Sequence, residues 1–124
     1  MQHENRPDFV AGRNIAMKIP SRDYDAVVAF YCDVLGLPRV EDVEPDVCVT
    51  YGAKRLWLDK VNNIKKTEIW LEICCDDTAL ARDWLEMKGV TFRDDAEDLP
   101  PDLDGFWIAA PNNVIHLVCH HDST

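Results

Sequence analysis

The chain has 124 residues, 47% of them hydrophobic and 29% charged, with a formal net charge of -10. That length and balance fit one soluble globular unit able to bury a core. The acid excess argues against nucleic acid and anionic membrane as partners, because both would repel the chain.

The cysteines are Cys32, Cys48, Cys74, Cys75 and Cys119. Their number is odd and no C-x-x-C occurs, so neither a zinc knuckle nor a disulfide framework is indicated. They read as reduced, mostly buried thiols of a cytoplasmic protein. Residues 1–12 read as a flexible, polar lead-in without an apolar signal core, His3 included. No apolar run is long enough to span a bilayer.

Asn14 to Ile19 alternates, with Ile15, Met17 and Ile19 on one face and Asn14, Ala16 and Lys18 on the other. Pro20-Ser21-Arg22-Asp23 breaks that strand and offers capping side chains for a helix over Tyr24 to Leu35. Val27, Tyr31, Val34 and Leu35 form the expected buried stripe, and Gly36 the stop. Strands are expected at Leu37 to Val43, Val47 to Tyr51 and Arg55 to Lys60. In the last of these Leu56 and Leu58 oppose Arg55, Trp57 and Asp59.

Val61 to Lys66 is a polar joint, and then the order starts over. Glu68 to Ile73 alternates, with Ile69, Leu71 and Ile73 against Glu68, Trp70 and Glu72. Asp76 or Asp77 caps a helix over Thr78 to Lys88 that ends at Gly89. Val90-Thr91-Phe92 is a short strand, Asp94 to Asp104 an acidic solvated loop, and Gly105 to Ala109 another strand. The closing strand follows Pro111-Asn112-Asn113 and carries Val114, His116 and Val118 on one face, Ile115, Leu117 and Cys119 on the other. A histidine midway along so apolar a strand needs a partner, a ligand or a metal.

The two halves repeat with a period near 54. Arg13 to Ile19 superposes on Thr67 to Ile73, Gly36-Leu37 on Gly89-Val90, and Leu56-Trp57-Leu58 on Ile115-His116-Leu117. Each half offers one apolar strand face to its helix. The mixed faces would line a shared concavity.

Phe30-Tyr31-Cys32-Asp33-Val34-Leu35-Gly36-Leu37 matches an "FY-x-D-x-LGL" helix end, and Pro111 to Val118 a "P-x-G-N-x-I-E-L-V" closing strand shortened by one residue. With these pieces and the duplicated order, the chain resembles the vicinal oxygen chelate superfamily, the glyoxalase, bleomycin-resistance and extradiol-dioxygenase group. The likeness covers residues 13–120. It implies an α+β fold of two βαβββ modules, about 13–60 and 67–120, forming a glyoxalase-like open barrel cleft, and it implies a homodimer. In this group divalent metal ligands come from the first and fourth strands of the modules. Those positions hold Asn14, Trp57, Glu68 and His116 here, where His or Gln, a ligating residue, His and Glu would be usual. Trp57 cannot ligate, so Glu68 and His116 are the only good ligand types among the four.

Three readings of Glu68 and His116 stay open. They form a metal half-site for Zn, Ni, Mn or Fe, completed by waters, substrate, Asp59 or Glu72. They form a metal-free pair in which Glu68 orients His116 for proton transfer. Or they hydrogen-bond and only shape the cleft. Trp57 and Trp70 would give flat apolar walls, Asn14 a polar contact, and Lys18 and Arg55 cations for an acidic group that Glu72 or Asp59 could neutralise. His120 and His121 read as a solvent-exposed tail. The function implied is a small-molecule enzyme of the glyoxalase/dioxygenase-like group, with lyase, isomerase or epimerase chemistry at His116 and Glu68. The alternative is a metal-free small-molecule binder dominated by Trp57 and Trp70. No G-x-S-x-G, phosphate loop or H-E-x-x-H is present.

Overall fold

A computed structural model describes residues 6–123. His3 and the rest of the first five residues of the expected lead-in lie outside the described residues. The chain divides into two compact units. One is Arg13–Trp70; the other joins the described residues before Arg13 to those from Leu71 onward. The division falls inside a strand rather than in the polar stretch 61–66.

In the Arg13–Trp70 unit, β2 (Asn14–Pro20) is followed by a 3-10 turn (Ser21–Asp23), α1 (Tyr24–Ala29) and a π-helical segment (Phe30–Val34). Then come β3 (Val47–Tyr51), β4 (Lys54–Val61) and the start of β5 (Glu68–Cys75). β3 and β4 form an antiparallel hairpin, β4 runs parallel to β2, and the first residues of β5 pair antiparallel with β2. Alternation sends Ile15, Met17 and Ile19 to one face, where they join Val49, Leu56 and Leu58 in a core covered by Tyr24, Val27, Val28 and Tyr31.

Two expectations fail here for local reasons. The helix does not run as one α-helix to Leu35. It widens at Phe30, with the Leu35 N–H reaching the Phe30 carbonyl at 2.9 Å. The extra residue in that turn rotates the positions after it, so Val34 and Leu35 lie on the surface while Tyr31 stays on the core. Gly36 ends the segment at φ +68°, as a left-handed stop should. The strand expected over Leu37 to Val43 shrinks to a single bridge, Arg39 to Val49. Pro38 lacks a donor, and the acidic run toward Pro45 leaves no apolar face to bury.

The second unit holds β1 (Val10–Ala11), the rest of β5, α2 (Thr78–Met87), β6 (Thr91–Phe92), β7 (Gly105–Ala109) and β8 (Ile115–His120). The lead-in is therefore partly ordered, since Val10 and Ala11 pair antiparallel with Cys74 and Ile73. β5 and β8 are parallel, and β8–β7 and β7–β6 antiparallel. Asp77 caps α2 by accepting the Leu80 N–H at 3.0 Å. Cys75, Ala81, Phe106, Ile108 and Val118 make the core, with Leu85, Val90 and Phe92 packed on it. The acidic loop is tethered rather than only solvated. Arg82 pairs with Asp94, Arg93 with Asp95, and the Trp107 indole donates to the Glu97 carbonyl at 2.8 Å.

Both units thus follow the expected order, an α+β fold of two βαβββ modules with the second strand of the first reduced to a bridge. No helix among the described residues is long and apolar enough to cross a membrane.

Candidate functional site

The strand face opposite α1 collects most of the expected site. The ladders place Arg55 beside Asn14, Trp57 beside Ala16, and Asp59 beside Lys18. Across β2 they place Trp70 beside Ala16 and Glu68 beside Lys18. Adjacent partners in a ladder point the same way, so these residues share one face. Its middle row reads Trp57–Ala16–Trp70.

The two indoles are fixed at their polar edges. Trp57 Nε1–H donates to Asn14 Oδ1 at 2.9 Å, and Trp70 Nε1–H donates to Glu68 Oε1 at 3.0 Å. Asn14 lies toward one end of β2 and Glu68 stands beside Lys18 toward the other. The rings are therefore anchored in opposite directions, away from Ala16, which stays only partly buried on a central strand. The row thus sets a small residue between two indoles whose N–H groups are already engaged.

Two cations lie on this face in different states. Lys18 is 5% exposed, and its Nζ sits 2.9 Å from Asp59 Oδ2 and 4.4 Å from the Trp70 ring centroid. A desolvated ammonium needs such compensation, so the role of Lys18 toward an outside acid is taken by Asp59. Arg55 is partly buried, and its guanidinium has no hydrogen bond or ion pair among the described residues. Its charge acts on Cys48 of β3, partly offsetting the burial that raises that thiol.

His116 takes a different place from the one expected. It stands beside Leu71 of β5 and Ile108 of β7, on the face of Ile73 and Val118 that packs toward α2. The other face of β8 carries Ile115, Leu117 and Cys119, with Leu117 beside the buried Glu72. Glu68 belongs to the Arg13–Trp70 unit and His116 to the other. The turn before β8 sets the place of His116. Ala110 N–H bonds the Val114 carbonyl at 2.9 Å, Asn113 adopts φ +69°, and this tight reversal pairs Ala109 with Ile115. The closing motif is one residue short, and a slip of one residue moves every side chain to the other face. His116 Nδ1 donates to the Val114 carbonyl at 3.0 Å, so its need for a partner is met locally.

The donor set does not fit a divalent ion. Asn14 Oδ1 and Glu68 Oε1 accept indole N–H groups, and an indole occupies the fourth-strand position of the first module. Among the described residues no three His, Cys, Asp or Glu side chains form a group that could hold a metal. The thiols do not supply a nucleophile either. Burial raises Cys48, Cys75 and, most strongly, Cys119, which the Glu72 carboxylate and neighbouring Cys74 push further. His120 and His121 contact Asp122 and Asp76 at the chain end.

Sequence reasoning missed two features. Ala16 was legible only as a small residue in an alternating strand; its flanking by two tryptophans needed the ladder. The apolar cavity beside His116 needed the closing register.

No family model matches the chain, and the comparison with curated proteins found no match. Solved structures are similar in fold. Methylmalonyl-CoA epimerase from Mycobacterium tuberculosis superposes with TM-score 0.59 at 14% identity, over 86% of this chain and 85% of that one. Homoprotocatechuate 2,3-dioxygenase from Arthrobacter globiformis gives 0.63 at 16% identity, over 94% of this chain and 37% of that one. The Mn(II)-bound glyoxalase from Novosphingobium aromaticivorans gives 0.57 at 18% identity, over 88% and 38%. The chain thus spans well under half the length of the last two. Its paired βαβββ order and these likenesses identify the fold as that of the vicinal oxygen chelate superfamily.

Proposed function

We propose that this protein binds a planar, anionic small molecule on the strand face opposite α1, without a metal ion. One observation carries the reading: Arg55, partly buried and without an ion pair among the described residues, shares that face with the Trp57–Ala16–Trp70 row. In a chain of net charge -10, an arginine left uncompensated is a local receptor for a carboxylate, and two indoles beside a small residue suit a flat ring. Of the two expected functions, this favours the binder over the metal-dependent lyase or isomerase.

The test is calorimetric titration with 2-naphthoate and with 2-naphthalenemethanol, which keeps the rings and removes the charge. The acid should bind more tightly. Arg55→Gln should weaken it by about 10- to 100-fold, the range of a charge-assisted hydrogen bond, with little effect on the alcohol. Equal binding of acid and alcohol, or an unchanged acid in Arg55→Gln, rejects the reading. The implied homodimer has a candidate apolar contact in Phe30 and Val34 on the π-helical segment and Leu35 just after it, all exposed. Light scattering of the wild type and Val34→Glu would test it.

A further inference from the structure

The second unit has a cavity of about 480 Å³ on the side of the sheet that faces α2. Its walls are apolar, formed by Ile73, Val90, Ile108, Ala109 and Pro111, with His116 as the only imidazole in the lining. The C-terminal end of α2 closes one side through Lys88 and Gly89. The volume lies in the range of small-molecule sites, which are mostly apolar with a few placed polar groups.

The polar group here is preset. His116 Nδ1 lies 3.0 Å from the Val114 carbonyl, and a carbonyl only accepts, so the neutral ring carries its proton on Nδ1. Nε2, on the other edge, is then an acceptor, and it has no partner among the described residues. The short turn that fixes β8 against β7 holds both the ring and its carbonyl partner. The other polar side chains of the lining, Thr91 and Lys88, are exposed at its margin, and Lys88 lies over the Trp84 ring at 4.9 Å.

We infer that this cavity is a second ligand site, for a small apolar molecule carrying one hydroxyl donor, of the phenol class, with the hydroxyl given to His116 Nε2. The site lies wholly within the second unit and shares no residue with the Arg55 face, so it stands or falls independently of the proposed function. An acceptor on apolar walls discriminates by hydrogen bonding: a ring with a donor satisfies the imidazole, and the same ring without one leaves it buried and unpaired.

The experiment compares 4-propylphenol with 4-propylanisole, its methyl ether, by amide chemical-shift titration of the full chain. 4-Propylphenol should shift the amides of Ile108, Ala109 and Ala110 and bind about tenfold more tightly than the ether, the worth of one neutral hydrogen bond. His116→Phe keeps a ring but no acceptor and should erase that difference. Ala110→Leu, at the partly buried margin of the cavity, should weaken both ligands, while Arg55→Gln should change neither. The inference is overturned if phenol and ether bind wild type equally, or if the preference survives in His116→Phe. Unchanged binding in Ala110→Leu, or shifts centred on Trp57 and Trp70, would also overturn it, and these arms decide the matter even should His116→Phe not fold.

Discussion

Trp57 Nε1 donates to Asn14 Oδ1 across 2.9 Å, and that bond joins the two positions of the first module where the sequence resemblance leads one to expect metal ligands. An indole fills one of these positions and engages the oxygen at the other. The neighbouring Trp70–Glu68 bond repeats the arrangement on β5.

Added metal should therefore do little. Zn, Ni, Mn or Fe at a concentration that saturates ordinary sites should leave the melting temperature of the wild type within about 1 °C of the metal-free value, because only ions that bind the native state stabilise it. Glu68→Gln should behave the same. A metal-dependent rise in wild type that Glu68→Gln loses would restore the metal reading.

Lys18 and Asp59 should respond unequally to mutation. The Lys18 side chain is 7% exposed and that of Asp59 29%. Asp59→Asn leaves an ammonium buried without its carboxylate and should cost about 3 kcal/mol, the low end for breaking a buried pair. Lys18→Met removes the buried charge itself, while the carboxylate left behind retains water, so its cost should be smaller. Urea denaturation of both variants measures the order; equal losses would mean that the pair acts as an ordinary surface bridge.

The thiols set an alkaline limit. Cys48, Cys75 and Cys119 all titrate above the ordinary value of 9.0 because burial disfavours the thiolate. On raising the pH past 9, the unfolded chain loses protons that the folded chain keeps, so stability is full below that value and falls above it. Cys119→Ala should flatten the fall seen in denaturation between pH 8 and 10.5. In the native state at pH 8, a thiol reagent should modify Cys32, the one cysteine that is not buried, well before the other four, which should react on unfolding.

The neutral His116 ring should carry its proton on Nδ1. Long-range proton–nitrogen correlation spectra of the neutral ring would read the tautomer directly. A proton on Nε2 would mean that the Val114 carbonyl is not its partner.

Much of the first module was legible without coordinates. Ile15, Met17 and Ile19 alternate cleanly with Asn14, Ala16 and Lys18, and only one of those faces is apolar enough to meet a helix. The Arg55–Trp57–Asp59 face followed by the same logic, and the repeat carried the order of elements into the second half.

The closing strand was different because both of its faces are apolar. Ile115, Leu117 and Cys119 are as buriable as Val114 and Val118, so alternation alone does not say which set meets α2. The turn at Pro111–Asn113 decides it by pairing Ala109 with Ile115, and His116 follows. Chain-distant pairings likewise determine that Val10 and Ala11 join the sheet, that the acidic stretch after Pro38 does not, and that two indole N–H groups engage Asn14 and Glu68. Periodicity, a local property, determined the modules and the faces; register, a relation between distant segments, determined which residues those faces bring together.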